Sequence, residues 1–330
     1  MQSKSNISLI IALLACTLSS SSQDVAFSQF YASPVNLNPA LAGIKLCPRL
    51  TLNYRNQWPE INSGYVTYSA TYDSYIESVS GGISLLANSS EAGGGIYNTF
   101  NAAGVYSYRL QASRHIVLNA AIKAGYTQNR INWEKLVFGD QIDVTNGTLN
   151  QSAESRPNRY RRGSADLGAG FLAGYRESIY FGVSVDHLNQ PAVSIFDAGA
   201  GHLPMRLTIH AGALIDFYQG MQGEDLRNFS ISPNLVYMQQ GKYRQLNLGM
   251  SVNMYPFVGG LWFRNNFETP DAVIVSLGFQ QKQYKFGYSF DYTISRLHTH
   301  TGGAHEISIA WLFNKTSKKF HTRELKCPSF

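Results

Sequence analysis

The sequence predicts an all-β fold: a transmembrane antiparallel β-barrel of about fourteen strands, preceded by an N-terminal plug or strap segment that is not a strand. Three observations predict it. Segments of roughly ten residues alternate strictly between apolar and polar, as in "YKFGYSFDYTI", where Tyr284, Phe286, Tyr288, Phe290, Tyr292 and Ile294 stand against Lys285, Gly287, Ser289, Asp291 and Thr293. The chain is aromatic-rich at 13% and charge-poor at 15%, against about a quarter charged in soluble proteins. The connections between segments also sort by parity into a short set and a longer one, as a membrane barrel requires and a soluble sandwich does not.

In chain order, the first element is the apolar run Ile7 to Leu18, which follows Lys4 and precedes Ser19 to Ser22. It is too short to span a bilayer and reads as a secretory signal peptide over residues 1–22, cleaved between Ser22 and Gln23. A second reading of the same stretch, a lipoprotein box at "LLAC" (Leu13 to Cys16), requires a small residue where Leu14 stands. Both readings export the chain. Mildly negative mean hydropathy argues against a bundle of membrane helices. Removing residues 1–22 takes away one Lys and no acid, so the formal charge of +6 falls by one. The densest basic cluster, "RPNRYRRGSADL" (156–167), sits in a polar loop and lacks the interleaved aromatics of a nucleic-acid surface, so no nucleic-acid partner is expected.

Residues 23–48 come next. "FSQFYASPVNLNPALAG" is too rich in Pro and Asn for a strand, yet carries Phe27, Phe30, Tyr31, Val35 and Leu37. Apolar side chains in such a segment need cover. One reading folds it from the periplasm into the barrel mouth as a plug, with Asn36 and Asn38 capping turns beside Pro34 and Pro39. The other makes it a periplasmic strap against a partner.

The barrel occupies 49–313. Its strands are expected near 49–58, 64–75, 78–87, 99–111, 114–128, 166–176, 178–187, 205–217, 228–239, 243–254, 256–266, 271–281, 283–294 and 304–313. An even count places both termini on the periplasmic side, so the connections after even strands should be short. Those near 76–77, 112–113, 177, 255 and 282 are tight, whereas 218–227 is an exception. The other set holds the long connections 88–98, 129–165, 188–204 and 295–303, and also short ones such as 240–242, so the sorting is a tendency. The oily face therefore looks into lipid, with Lys285 and Asp291 in the lumen. Trp58, Trp262 and Trp311 are expected in the aromatic girdles. Residues 314–330 form a basic periplasmic tail.

Six stretches in fixed order carry a family resemblance. They are "FSQFYASPVNLNPALAG" (27–43), "LNYRNQWPEINSGYVTYSATYD" (52–73), "LVFGDQI" (136–142), "HLNQP" (187–191), "GLWFRN" (260–265) and "GYSFDYTISRL…GGAHEISIAW" (287–311). Together the chain resembles the PorP/SprF family of outer-membrane proteins, associated with type IX secretion and gliding motility. The resemblance implies a barrel working with periplasmic ring or motor components, and with a secreted C-terminal-domain substrate such as a gliding adhesin. The basic tail and the extended 129–165 loop depart from the family pattern.

Catalytic sets are absent from the pattern. His298, His300, His305 and Glu306 lie close in sequence, and His298 and His300 would share one face of an extended loop. Glu306 opposes His305 on a strand, however, and no Cys completes a metal set. Asp186 and His187 likewise face opposite sides of an ideal strand, so the carboxylate does not orient the imidazole, and His187 is expected at headgroup level. No nucleophile elbow or phosphate-binding loop appears, and no cofactor is expected. The candidate partner contacts are loop residues Arg159, Arg161, Arg162, Asn189, Gln190, His298 and His300; the arginines suit acidic partner groups or anionic lipid sugars equally. Closure makes the first and last strands neighbours. Cys47 and Cys327 then share the oxidising periplasmic side, and a disulfide between them is expected. The functional alternative to a secretion component is a passive diffusion pore for small solutes.

Overall fold

The computed structural model describes residues 24, 26–61, 64–142, 152–154, 160–176, 178–195, 201–217, 229–295 and 301–313. The signal peptide, the tail and Cys327 lie outside them, as do Arg159, His298 and His300.

Alternation becomes wall. The strands are β1 (Arg49–Gln57), β2 (Tyr65–Ile76), β3 (Gly81–Ala92), β4 (Tyr97–Gln111), β5 (Ile116–Ile131), β6 (Arg161–Tyr175), β7 (Ile179–Asp186), β8 (Arg206–Ala213), β9 (Ile215–Phe217), β10 (Phe229–Gln240), β11 (Tyr243–Met254), β12 (Phe257–Asn265), β13 (Pro270–Gln281), β14 (Tyr284–Thr293) and β15 (Ala304–Leu312). β8 and β9 both pair with β10 and are separated only by Leu214, so they form one stave, and the wall has fourteen. Every neighbour is antiparallel, and β1 pairs with β15 from Arg49↔Leu312 to Gln57↔Ala304. Closure leaves no edge whose backbone groups lipid would have to satisfy.

The two faces separate as the pattern requires. Leu52, Tyr68, Tyr72, Leu85, Ile122, Leu261, Tyr288 and Ile307 are exposed on the outside, where hydrocarbon meets them. Thr51, Asn53, Arg55, Ser289, Asp291 and Glu306 are buried inside. The connections at 77–80, 112–115, 255–256 and 282–283, with the one that leads from β6 to β7, share one end, the periplasmic one by the short-turn rule. The exceptional 218–227 connection lies outside the described residues.

Four expectations need correction. β3 and β4 run on to Ala92 and from Tyr97, so the 88–98 loop shrinks to a turn of three glycines and Ile96. β6 begins at Arg161, placing Arg161 and Arg162 in the wall opposite Arg130 and Asn129 and not in the loop. Trp262 is 5% exposed and faces inward, because Leu261 and Phe263 on either side of it face lipid. His187 takes φ +58 immediately after β7, which breaks the alternation and turns its ring inward beside Asp186.

Residues 26–48 lie within the ring of strands. Pro34 opens a single helical turn, Pro34–Leu37, and Pro39 opens a 3-10 turn, Pro39–Leu41. Asn38 caps the second by accepting from the Ala40 N–H at 2.9 Å. Asn36 caps nothing; its amide bridges Ser33, Ser69 and Asn88. Phe30, Tyr31, Val35, Leu37, Leu41 and Ile44 form an apolar core with Leu86, Val105, Leu172, Tyr180, Val236, Trp262 and Ile274. Each such side chain contributes about 1.5–3 kcal/mol on burial. At the short-turn end the chain passes so close to β3 that a Cβ on Gly82 would stand 2.1 Å from the Ala42 carbonyl oxygen. Glycine is the residue that fits there.

Candidate functional site

The lumen holds three polar clusters that bind residues 24–43 to the wall. Nearest the long-loop end, His187 donates from Nε2 to Asp24 at 2.6 Å and from Nδ1 to Asp166 at 2.8 Å. With both nitrogens donating, the ring is an imidazolium. Burial alone would lower its pKa, but the hydrogen bonds and charges of Asp166 and Asp24 outweigh it and raise the value to about 9. Burial likewise favours the neutral form of Asp24, yet Arg206 and His187 hold it at about 2. Arg206 reaches Asp24 at 3.2 Å and Asp186 at 2.8 Å, and Lys123 pairs with the other oxygen of Asp186.

The second cluster lies across the lumen. Ser28 donates its hydroxyl to Asp291 and accepts from Arg55 and Arg264, each at 2.6 Å. Arg55 also donates to Asp291 at 2.9 Å and to Glu306 at 3.1 Å. Glu306 in turn accepts the Ser28 and Gln29 backbone N–H groups, and Ser308 donates to the Gln29 side chain. These residues come from β1, β12, β14 and β15, so one short piece of chain ties both sides of the closing seam.

The third cluster sits deeper. Asn38 Nδ2 donates to the Phe171 carbonyl at 3.1 Å and lies 3.0 Å from His210 Nε2. Gly170 and Gly182 make the room: a Cβ on either would fall within 2.3 Å of the Asn38 carbonyl oxygen or the His210 ring. Ser107 and Asn119 donate to the Ala40 carbonyl, and Ser184 to that of Leu37. Below them Gly43 N–H donates to Asp73, which Arg49 holds through two bonds.

Between the segment and the wall, from β2 to β6 and on to β8 and β10, is a cavity of about 150 Å³. Asp24, Phe27, Phe30, Lys123, Asp166 and Arg206 are among its lining residues. Among the described residues no three His, Cys, Asp or Glu side chains are placed to hold a metal.

The sequence-selected residues divide. Phe27, Phe30, Tyr31, Pro34, Asn36, Asn38 and Pro39 meet inside the ring. Asn189 staples β6 by donating to the Ala165 carbonyl and accepting the Leu167 N–H; Gln190 presents its carbonyl to His202. Arg161 is exposed beside the Tyr160 ring. Cys47 is buried just before β1. Sequence reasoning missed Asp24, Ser28, Asp166 and Arg206 as a group. For Asp166 and Arg206 the one sequence signal is a charge on a strand, which Arg55 and Glu306 share; Asp24 and Ser28, ahead of β1, carry none.

Comparison with known proteins follows the geometry. Solved outer-membrane barrels align over most of the chain. CymD, a monoaromatic hydrocarbon channel, has TM-score 0.49 and 13% identity, covering 89% of this chain and 96% of its own. The Ralstonia pickettii toluene transporter TbuX has TM-score 0.46 and 9% identity, covering 83% and 90%. Acinetobacter baumannii outer membrane protein Omp33 has TM-score 0.41 and 9% identity, covering 82% and 100%. No curated protein sequence matches. The family model for the type IX secretion system membrane protein PorP/SprF matches residues 19–311. With nearly the whole barrel inside that match, this outer-membrane β-barrel belongs to the PorP/SprF family of the type IX secretion system.

Proposed function

We propose that the barrel supports secretion or surface anchoring of an exported protein, such as a gliding adhesin, with its lumen closed by residues 24–48. One observation carries this reading: that segment is hydrogen-bonded or packed to inward-facing residues from β1 round to β15. A diffusion pore needs free cross-section, and here Phe30, Tyr31, Val35 and Leu37 fill the middle of the lumen. The strap alternative, a periplasmic segment against a partner, would leave those side chains outside the barrel.

In this reading the short-turn end and the basic tail meet the periplasmic ring or motor components. The long-loop end meets a secreted C-terminal-domain substrate, through Arg159, Arg161, Arg162, Asn189, Gln190, His298 and His300, and outer-membrane lipid surrounds the wall. Two experiments test it. Detergent extraction followed by mass spectrometry should recover an exported protein with the barrel; recovery of none argues for a solute pore. Planar-bilayer recording should find the full barrel silent and a variant lacking 24–43 conducting. Equal conductance in the two defeats the closure.

A further inference from the structure

We propose that His187 and Arg206, at the outer end of the lumen, form a carboxylate-binding site that the chain's own Asp24 occupies and from which an incoming carboxylate displaces it. Asp24 is the loosest member of its cluster. Its side chain is 24% exposed, whereas those of Asp166 and Asp186 are 0% and 3%. The two buried acids are fixed by strands β6 and β7, while Asp24 lies outside any strand, and its backbone N–H donates to Gln240 at 2.9 Å.

Charge makes the vacancy demand an anion. Lys123, His187 and Arg206 face Asp24, Asp166 and Asp186, three against three. Lys123 and one arm of Arg206 are committed to Asp186. Departure of Asp24 therefore leaves a net positive charge at a part-buried place, with Arg206 Nη1 and His187 Nε2 lacking an acceptor, and this favours the entry of another anion. A ligand carboxylate would take over from Asp24 its two contacts, Arg206 Nη1 and His187 Nε2. The adjoining 150 Å³ cavity is lined by Asp24, Lys123, Asp166, His187 and Arg206. A space of that size takes a body as large as benzene, enough for an acidic side chain or a chain terminus. Tethering gives Asp24 a high effective concentration, so the intact site shows a ligand only the fraction of time that Asp24 is away.

The test titrates the purified, detergent-solubilised protein with ¹³C-acetate by NMR, against chloride at matched ionic strength. Asp24→Asn should bind acetate about tenfold or more tightly than the native chain. Adding Arg206→Gln should abolish the gain. Equal affinity in Asp24→Asn and the native chain, or a gain that survives Arg206→Gln, overturns the proposal. A thermal readout covers a weakened variant: the melting temperature lost by Asp24→Asn should return with acetate and not with chloride. Failure of acetate to restore it also overturns the proposal. The inference uses the geometry of the outer end alone, so a conducting native barrel would defeat the closure reading and leave this one standing.

Discussion

Replacing Arg55 by Met removes the cation at the centre of the seam cluster while keeping most of the stem that fills the space. Arg55 is 2% exposed on its side chain and serves Ser28 at 2.6 Å, Asp291 at 2.9 Å and Glu306 at 3.1 Å. Asp291 keeps Arg264 at 3.0 Å. Glu306, fully buried, has no second cation among the described residues and retains the Ser28 and Gln29 N–H groups. Stranding one buried carboxylate in this way costs about 3–5 kcal/mol. Glu306→Gln in the same background takes the stranded charge away, so the double variant should recover about 1–3 kcal/mol relative to the sum of the single changes. Equilibrium urea unfolding in lipid vesicles, followed by tryptophan fluorescence, measures both quantities. An Arg55→Met barrel within about 0.5 kcal/mol of the native one, or strictly additive changes, would refute the reasoning.

Other expectations follow from single observations. Trp262 packs 5.1 Å from Phe30 inside the ring, and Trp311 stacks on Tyr284 and Phe313 outside it. Brominated lipids should therefore quench Trp311 and spare Trp262, and Trp262→Ala should cost about 3–5 kcal/mol in unfolding. His187 has its folded pKa near 9, above the ordinary 6.5, so its contribution is full below about pH 6.5 and lost as pH rises through 9. Asp24, held near 2, contributes fully above 3.8 and loses its contribution as pH falls through 2. His187→Gln should thus lower stability by about 2–3 kcal/mol at pH 6, a gap that closes above pH 9, with Asp166, Asp186, Lys123 and Arg206 as the surrounding charges. For Cys47 and Cys327 we propose the disulfide that closure suggests. Mature protein should migrate faster on gels without reductant, and unchanged mobility with both thiols open to labelling rejects it.

The wall was legible in the sequence to a degree its interior was not. A strand needs only a period of two, and all fourteen staves carry it within a few residues of their observed limits. Alternation also marked Arg55, Asp291 and Glu306 as inward. It could not say that Ser28 would join them, because that contact spans 278 positions along the chain. Two misplacements share a local cause. His187 leaves the extended region at φ +58, and a single left-handed residue reverses a face without changing composition. Trp262 obeys the alternation of its neighbours, yet its residue type suggested a girdle; aromatic character was the weaker signal. Arg161 fell in a Gly- and Ser-rich stretch that reads as loop, but pairing with β5 extends the sheet through it.

From the threaded segment we expect an order of assembly. Asp24 lies beside the outer ends of β7 and β8, while Cys47 lies at the opposite rim, immediately before β1. A finished cylinder would have to pass this bulky thread, with Phe30 and Tyr31 upon it, along its full height. A simpler course wraps the staves around the thread as around a mandrel, and joins β1 to β15 last, when Ser28 and Gln29 already bridge the gap. Insertion of this barrel is then the casting of a shell about its own leading stretch.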